Sequence, residues 1–209
     1  MTFDSTPLEK ALAAPERHKR ATPLDAFALA RKMWLRGQRI NLSAICQELG
    51  IGRATLSRWI GNKERLLGEI LWSLYEPIFL KAKQETPGVG AEYVAGVYRR
   101  VMQTVLDAKP LTTFVGRDPH YALSILTASR TVQERRLQAC RALLAEQVAL
   151  GHLSPPLDLD TTAFVLTRLN ESFVYSDALV GAPPSVDKAV AAIRVLLGDT
   201  PPSSAQAVR

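Results

Sequence analysis

The chain has 209 residues, 47% of them hydrophobic and 22% charged, proportions that exclude a largely disordered polypeptide. No run of about 18 apolar residues is present, which excludes a simple membrane-spanning helix. The charge of +6 is uneven: residues 16–65 hold 11 Lys/Arg against 4 Asp/Glu, while the remainder is close to neutral.

A basic segment on a neutral body points to a polyanion-binding module, with a solvated Arg-rich helix face as the plainer reading. Residues 1–20 are polar and carry Pro7, Pro15 and the cluster Arg17-His18-Lys19-Arg20. They read as a flexible basic arm, and their acidic residues Asp4, Glu9 and Glu16 are unlike a secretory signal. The expected location is cytoplasmic. Thr22 is placed to cap a first helix, with Pro23 at its first position and Asp25 in its first turn. Phe27, Ala30, Met33 and Trp34 give it one apolar face, and Gly37 ends it.

A second helix is capped by Asn41 and runs through Ile45 and Leu49 to Gly50. A third covers about Arg53 to Ile60 and stops at Gly61. Asn62 caps a fourth, with Leu66, Leu67, Ile70, Leu71 and Leu74 on its inner side. It has the length to reach Gln84, but Pro77 is expected to bend or break it. Residues 86–90, Thr-Pro-Gly-Val-Gly, read as a linker. Beyond it, helices are expected over Ala91–Ala108 (ended by Pro110), about 118–129, 131–150, Asp158–Val180 and Val186–Leu197. The polar tail from Thr200 reads as disordered. No alternating strand pattern and no long repeat is found, so the fold class is all-α.

The segment from Ser43 to Trp59 carries the most chemistry. Two short helices meet at a turn in which Gly50 supplies a positive φ. Ile45, Leu49, Ile51 and Leu56 are spaced to form a small core between them. The second helix then presents Arg53, Ala54, Thr55 and Arg58 outward, long donors and small side chains suited to a major groove. The same motif also occurs as a plain helical corner in unrelated proteins.

This N-terminal pattern resembles the TetR family of bacterial regulators. The family signature, I-A-x-x-x-G-V-S-x-x-T-L-Y-x-x-F-x-x-K-E-x-L, is matched by Ile45-Cys46, Gly50-Ile51-Gly52, Thr55-Leu56-Ser57, Ile60 and Lys63-Glu64-Arg65-Leu66. The register holds over about forty-five residues without a gap. Ser57 stands where the family usually has a phosphate-binding Tyr, and Trp59-Ile60 replaces a common His-Phe pair. Leu56-Ser57-Arg58-Trp59 and Leu67-Gly68-Glu69-Ile70-Leu71-Trp72 are similar to the QsdR-type branch, associated with control of lactone quorum-signal degradation.

The resemblance implies a helix-turn-helix domain over 21–66, a connecting helix over 67–85, and a helical ligand-binding and dimerisation domain over 86–198. It implies double-stranded DNA as partner, contacted by Ser43, Arg53, Ala54, Thr55, Ser57, Arg58, Trp59 and Lys63. Arg53 is the candidate for a bidentate guanine contact, or else a phosphate clamp. Lys63 and the free amides of the fourth helix suit a phosphate. Arg17, Lys19 and Arg20 are candidates for an adjacent minor groove.

The C-terminal half has helices that are apolar on more than one face. In Asp158–Val180 these positions include Ala163, Phe164, Val165, Leu166, Leu169, Phe173, Val174 and Leu179. In the last helix they include Ala189, Val190, Ile193, Leu196 and Leu197. A two-fold, four-helix homodimer interface satisfies both sets, with an internal core as the alternative.

Candidate effector contacts are Trp72, Tyr75, Phe79, Tyr98, Met102, Phe114, Tyr121, Asn170 and Phe173, with Arg117 and Asp118 as polar anchors. Each also suits an ordinary core. The implied effector is small and largely apolar, and an acylated lactone fits the branch resemblance. His18, His120 and His152 show no ligand spacing, so no metal is expected, and no cofactor. Cys46 reads as a buried inert thiol. No catalytic motif is present, so an enzyme is not expected. The leading expectation is a dimeric repressor of a pseudo-palindromic operator; a protein-binding adaptor and an activator are the alternatives.

Overall fold

The computed structural model describes residues 21–128, 130–176 and 185–199. The basic arm, residue 129, residues 177–184 (the end of the expected Asp158–Val180 helix and the four residues after it) and the tail from Thr200 lie outside that set. The fold is all-α. Ten α-helices are described: α1 Pro23–Leu35, α2 Leu42–Leu49, α3 Arg53–Ile60, α4 Lys63–Glu85, α5 Gly90–Leu106, α6 Lys109–Arg117, α7 Pro119–Ala128, α8 Arg130–Ala149, α9 Leu159–Glu171 and α10 Val186–Leu196. A π-helical turn, Ser172–Ser176, extends α9.

The N-terminal helices begin where their caps dictate. The Thr22 hydroxyl accepts from the Asp25 amide at 3.2 Å, and the Asp25 carboxylate accepts from the Thr22 amide at 2.8 Å. This reciprocal box satisfies two donors that a helix start would otherwise leave open. Asn41 Oδ1 accepts from the amides of Ser43 and Ala44 to start α2. Asn62 Oδ1 accepts from the Arg65 amide at 2.7 Å to start α4. Gly50 closes α2 at φ 62°, ψ 32°, a left-handed conformation that a side chain would disfavour.

Helices α1, α2 and α3 pack on one another, and α1 and α3 also pack on α4. Their shared core is Ala26, Ala30, Trp34, Ile45, Leu56, Ile60, Leu66, Leu67 and Ile70, all buried. Leu49 and Ile51 are half-buried against it.

Helix α4 then continues into the second half of the molecule, where Phe79 and Ala82 are buried and α5 and α8 pack beside it. It does not break at Pro77. The ring removes the amide that would bond to the Ser73 carbonyl four residues earlier, but helical geometry persists on both sides.

The expectation that Pro110 merely terminates a helix is corrected. Pro110 lies in the first turn of α6, a helix the sequence reading did not anticipate. Proline is tolerated there because the first amides of a helix have no intrahelical acceptor. The same residue type thus marks a helix interior at 77 and a helix start at 110.

Helix α10 packs on α5, and α9 packs on α8 and α10. The contact between α5 and the loop after α8 is tight. Gly90 has φ 63°, and a Cβ built there would lie 2.3 Å from the His152 carbonyl oxygen. Its amide donates to Gln147 Oε1 at 2.8 Å. Only glycine meets both demands at this position. On their outer faces α9 and α10 leave Phe164 and Val195 about half exposed.

Candidate nucleic-acid interface and effector cavity

The residues expected to meet DNA share one end of the molecule. Ser43 on α2 and Arg53, Ala54, Ser57 and Arg58 on α3 are exposed. Thr55 and Trp59 are half-buried, turned partly toward the small core. The Arg53 guanidinium donates to the Ser43 hydroxyl at 2.5 Å, so two expected contacts on different helices are joined. This bond restrains a long side chain at the start of α3 and lowers the entropy lost on ordering it. The Ser57 hydroxyl reaches back to the Gly61 carbonyl at 3.4 Å. Gly52 precedes α3 without a side-chain cap, so no side chain competes for its first amides.

Lys63 is placed differently. It is half-buried at the start of α4, with its ammonium 5.9 Å from the centroid of the Tyr121 ring. The Tyr121 hydroxyl lies 3.5 Å from Glu64. Burial, and then the Glu64 carboxylate, raise that phenol above its ordinary pKa. The charged start of α4 is therefore seated against α7. Nearby, Arg117 donates to the Gly37 carbonyl at 2.8 Å, and Asp118 accepts from the Tyr121 amide at 3.1 Å. These contacts tie α6 and α7 to the end of α1 and the start of α4.

Two cavities flank this junction. The smaller, about 270 Å³, lies among Trp34, Gln38, Lys63, Phe114, Arg117 and Tyr121. The larger, about 340 Å³, is walled by Arg31, Trp34 and Leu35 of α1 and by α4 from Leu71 to Ile78. Val105, Pro110, Leu111, Leu126, Val132 and Arg136 complete it. Its wall is mostly apolar with a few polar groups, the usual make-up of a small-molecule site. Trp34 borders both cavities, and its indole N–H is buried with no acceptor among the described residues.

Of the nine expected effector contacts, Tyr75 lines the larger cavity, and Phe114 and Tyr121 line the smaller. Trp72, Phe79, Tyr98, Met102, Asn170 and Phe173 line neither. Three of these six, Trp72, Phe79 and Tyr98, join Tyr75 in an aromatic ladder, Trp72–Tyr75–Phe79–Tyr98, with successive ring centroids 5.9, 5.9 and 6.3 Å apart. Tyr98 and Met102 are buried core, and burial pushes the Tyr98 phenol well up. Asn170 is buried with Oδ1 unsatisfied among the described residues. Phe173 is half-buried.

The sequence reading missed Arg31, Trp34, Leu35 and Arg136 as cavity walls. Trp34 carries the pattern of a core residue of α1. Arg136 is one of a run of arginines on α8 that look alike in sequence. It is nonetheless buried beside Glu171 at 3.2 Å, with its guanidinium 5.0 Å from the Tyr75 ring centroid. Arg168 and Gln133 also bond Glu171, at 2.9 and 2.5 Å.

Cys46 and Cys140 are both buried free thiols. Among the described residues no cluster of three or more His, Cys, Asp or Glu is arranged to hold a metal, and no helix is long and apolar enough to cross a membrane.

Residues 89–198 match the family described as "Tetracyclin repressor-like, C-terminal domain". No curated protein matches the chain. Among solved structures, the chain is similar to the R. erythropolis transcriptional repressor QsdR from the TetR family. That match has a TM-score of 0.81 and 28% identity, over 87% of this chain and 96% of the other. It is also similar to the transcriptional regulator FadR from Bacillus subtilis in complex with stearoyl-CoA. There the TM-score is 0.56 at 15% identity, over 86% and 100% of the two chains, which speaks to the fold alone.

Proposed function

The chain belongs to the TetR family of transcriptional regulators, and from that premise we propose that it is a dimeric repressor released from a pseudo-palindromic DNA operator by a small, largely apolar effector. The observation that carries this reading is the position of the larger cavity. It is walled on one side by α1 of the helix-turn-helix and on the other by helices of the C-terminal half. An occupant touches both halves at once, so its binding energy can favour one relative placement of them over another. The 28% identity to a transcriptional repressor over most of both chains supports the repressing sign.

In this proposal α3 enters the major groove. Arg53 reads a base edge, steadied by Ser43. Ala54 and Thr55 make close contact with the groove floor. Ser57, Arg58 and Trp59 hold the backbone, Ser57 with a shorter reach than a tyrosine. Lys63 adds charge at the start of α4. Residues 21–66 act as the DNA-binding unit, 67–85 as the connecting helix and 86–198 as the sensor and dimer unit. The half exposure of Phe164 and Val195 on α9 and α10 supports a dimer face on these two helices. A twin copy covering them sets the two α3 helices about 34–36 Å apart, one turn of the double helix.

The test is a mobility-shift titration with the protein's own upstream DNA. A shift that weakens steeply with salt supports the proposal, with a slope of about −0.9 per neutralised phosphate. No shift at low salt favours a protein-binding adaptor instead. A reporter driven by the same DNA separates repression from activation. Sedimentation reads the dimer directly.

A further inference from the structure

The polar groups around the larger cavity are unbalanced. Two guanidinium groups, Arg31 and Arg136, and the Trp34 indole belong to its wall, but among the described residues no carboxylate does. The Arg136 charge is already matched by buried Glu171. Arg31 is different. It is half-buried, and its one described bond runs from Nε to the Ser73 hydroxyl at 3.2 Å. That hydroxyl in turn donates to the Ile70 carbonyl at 2.7 Å. Arg31, Leu35 and Ser73 also border an adjoining groove, whose other walls include Lys32 and Arg36 and, among the described residues, again no acid. Where the cavity adjoins that groove, at Arg31, its mouth is therefore cationic, while Leu111, Leu126 and Val132 supply apolar wall and the buried Arg136 is neutralised by Glu171.

A neutral ligand leaves this arrangement unanswered. Donors facing a low-dielectric space call for acceptors, and a partly desolvated guanidinium favours an anion that can take two of its N–H groups. We infer that the effector is an anionic amphiphile, a carboxylate with an apolar tail, and that Arg31 of the DNA-binding half is its headgroup anchor. The tail lies in the apolar interior along α4. The carboxylate sits at the mouth against the Arg31 guanidinium, with Ser73 orienting that group from the other side. This inference rests on the reading of the cavity as the effector site and narrows its chemistry from "apolar" to "apolar and negatively charged". It also gives the effector a grip on α1 itself.

The experiment uses the full-length protein and four probes of one tail length: octanoate, 1-octanol, octylammonium and N-octanoyl homoserine lactone. Affinity is measured by isothermal titration calorimetry at neutral pH. Octanoate is expected to bind about tenfold more tightly than octanol or the lactone, as one charge-assisted contact warrants, and octylammonium more weakly than either. In Arg31→Gln the octanoate-to-octanol ratio should fall to about one. In Arg31→Lys most of the preference should return, because a cation is restored without the fork.

Octanol or the lactone binding as well as octanoate to the wild type overturns the anionic class and leaves the cavity reading standing. An octanoate preference that survives unchanged in Arg31→Gln overturns the anchor. Failure of all four probes to bind overturns the inference together with the effector reading on which it rests.

Discussion

The two halves of this molecule encode their functions at different ranges. In the N-terminal half the candidate DNA contacts fall within 21 consecutive positions, Ser43 to Lys63, from α2 to the start of α4, and fixed spacing brings them to one end of the fold. The larger cavity, by contrast, lies between the halves and is assembled from Arg31 on α1, from α4 around Pro77, and from Leu111, Leu126, Val132 and Arg136, spread over more than a hundred positions. A DNA groove has one shape, so a short segment of fixed geometry suffices to meet it. An effector cavity is defined by what distant helices leave between them, and no local spacing specifies it.

Perturbing each half sharpens this contrast. The largest effect is expected at Glu171, which holds buried Arg136 along with Arg168 and Gln133. Glu171→Ala removes the carboxylate paired with a buried guanidinium and should cost about 3–5 kcal/mol of stability in chemical denaturation. A cost below about 1 kcal/mol would mean that Arg136 finds another partner or water. Gly90→Ala should come next, at about 3 kcal/mol, because it meets both a positive φ and the His152 carbonyl. Both changes should lower the melting temperature without altering which DNA sequence is preferred.

Changes in the N-terminal half should do the reverse. Arg53 is exposed, so Arg53→Ala should leave the melting temperature within about a degree, as is usual for surface substitutions. It should relax discrimination at one base pair by about 2 kcal/mol, read from mobility shifts on singly substituted operators. Asn41→Ala removes the acceptor for two α2 amides and should cost about 1 kcal/mol of stability. Lys63→Ala should be the mildest, weakening all DNA sequences alike and lowering the salt slope by about one. The ammonium already rests over Tyr121, so part of its charge acts within the protein.

Particular residues show why most helices of both halves are legible in the sequence while the cavity is not. Thr22, Asn41, Gly50 and Asn62 act on amides within a few positions of themselves, and the helices they delimit were legible from sequence. Pro110 was misread because a proline stops a helix or starts one according to its position, and that position depends on how α6 packs. Of the aromatic residues expected around an effector, Trp72, Tyr75 and Phe79 stack on one another along α4, and only Tyr75 of these also reaches a cavity. Aromatic content alone does not distinguish a wall from a core. Trp34 was visible as an apolar residue of α1, but its place between two cavities follows from where α6 and α7 settle. Arg31 and Arg136 acquire their surroundings only when α4 and α8 lie beside them.

The central claim, that α3 lies in successive major grooves as one of a symmetric pair, is tested most directly by hydroxyl-radical footprinting on the upstream DNA. The account predicts two protected regions on one face of the duplex, about one helical turn apart, both weakened when Arg53 and Arg58 are changed to Ala. A single unpaired region, or an undiminished footprint from the doubly changed protein, would contradict it.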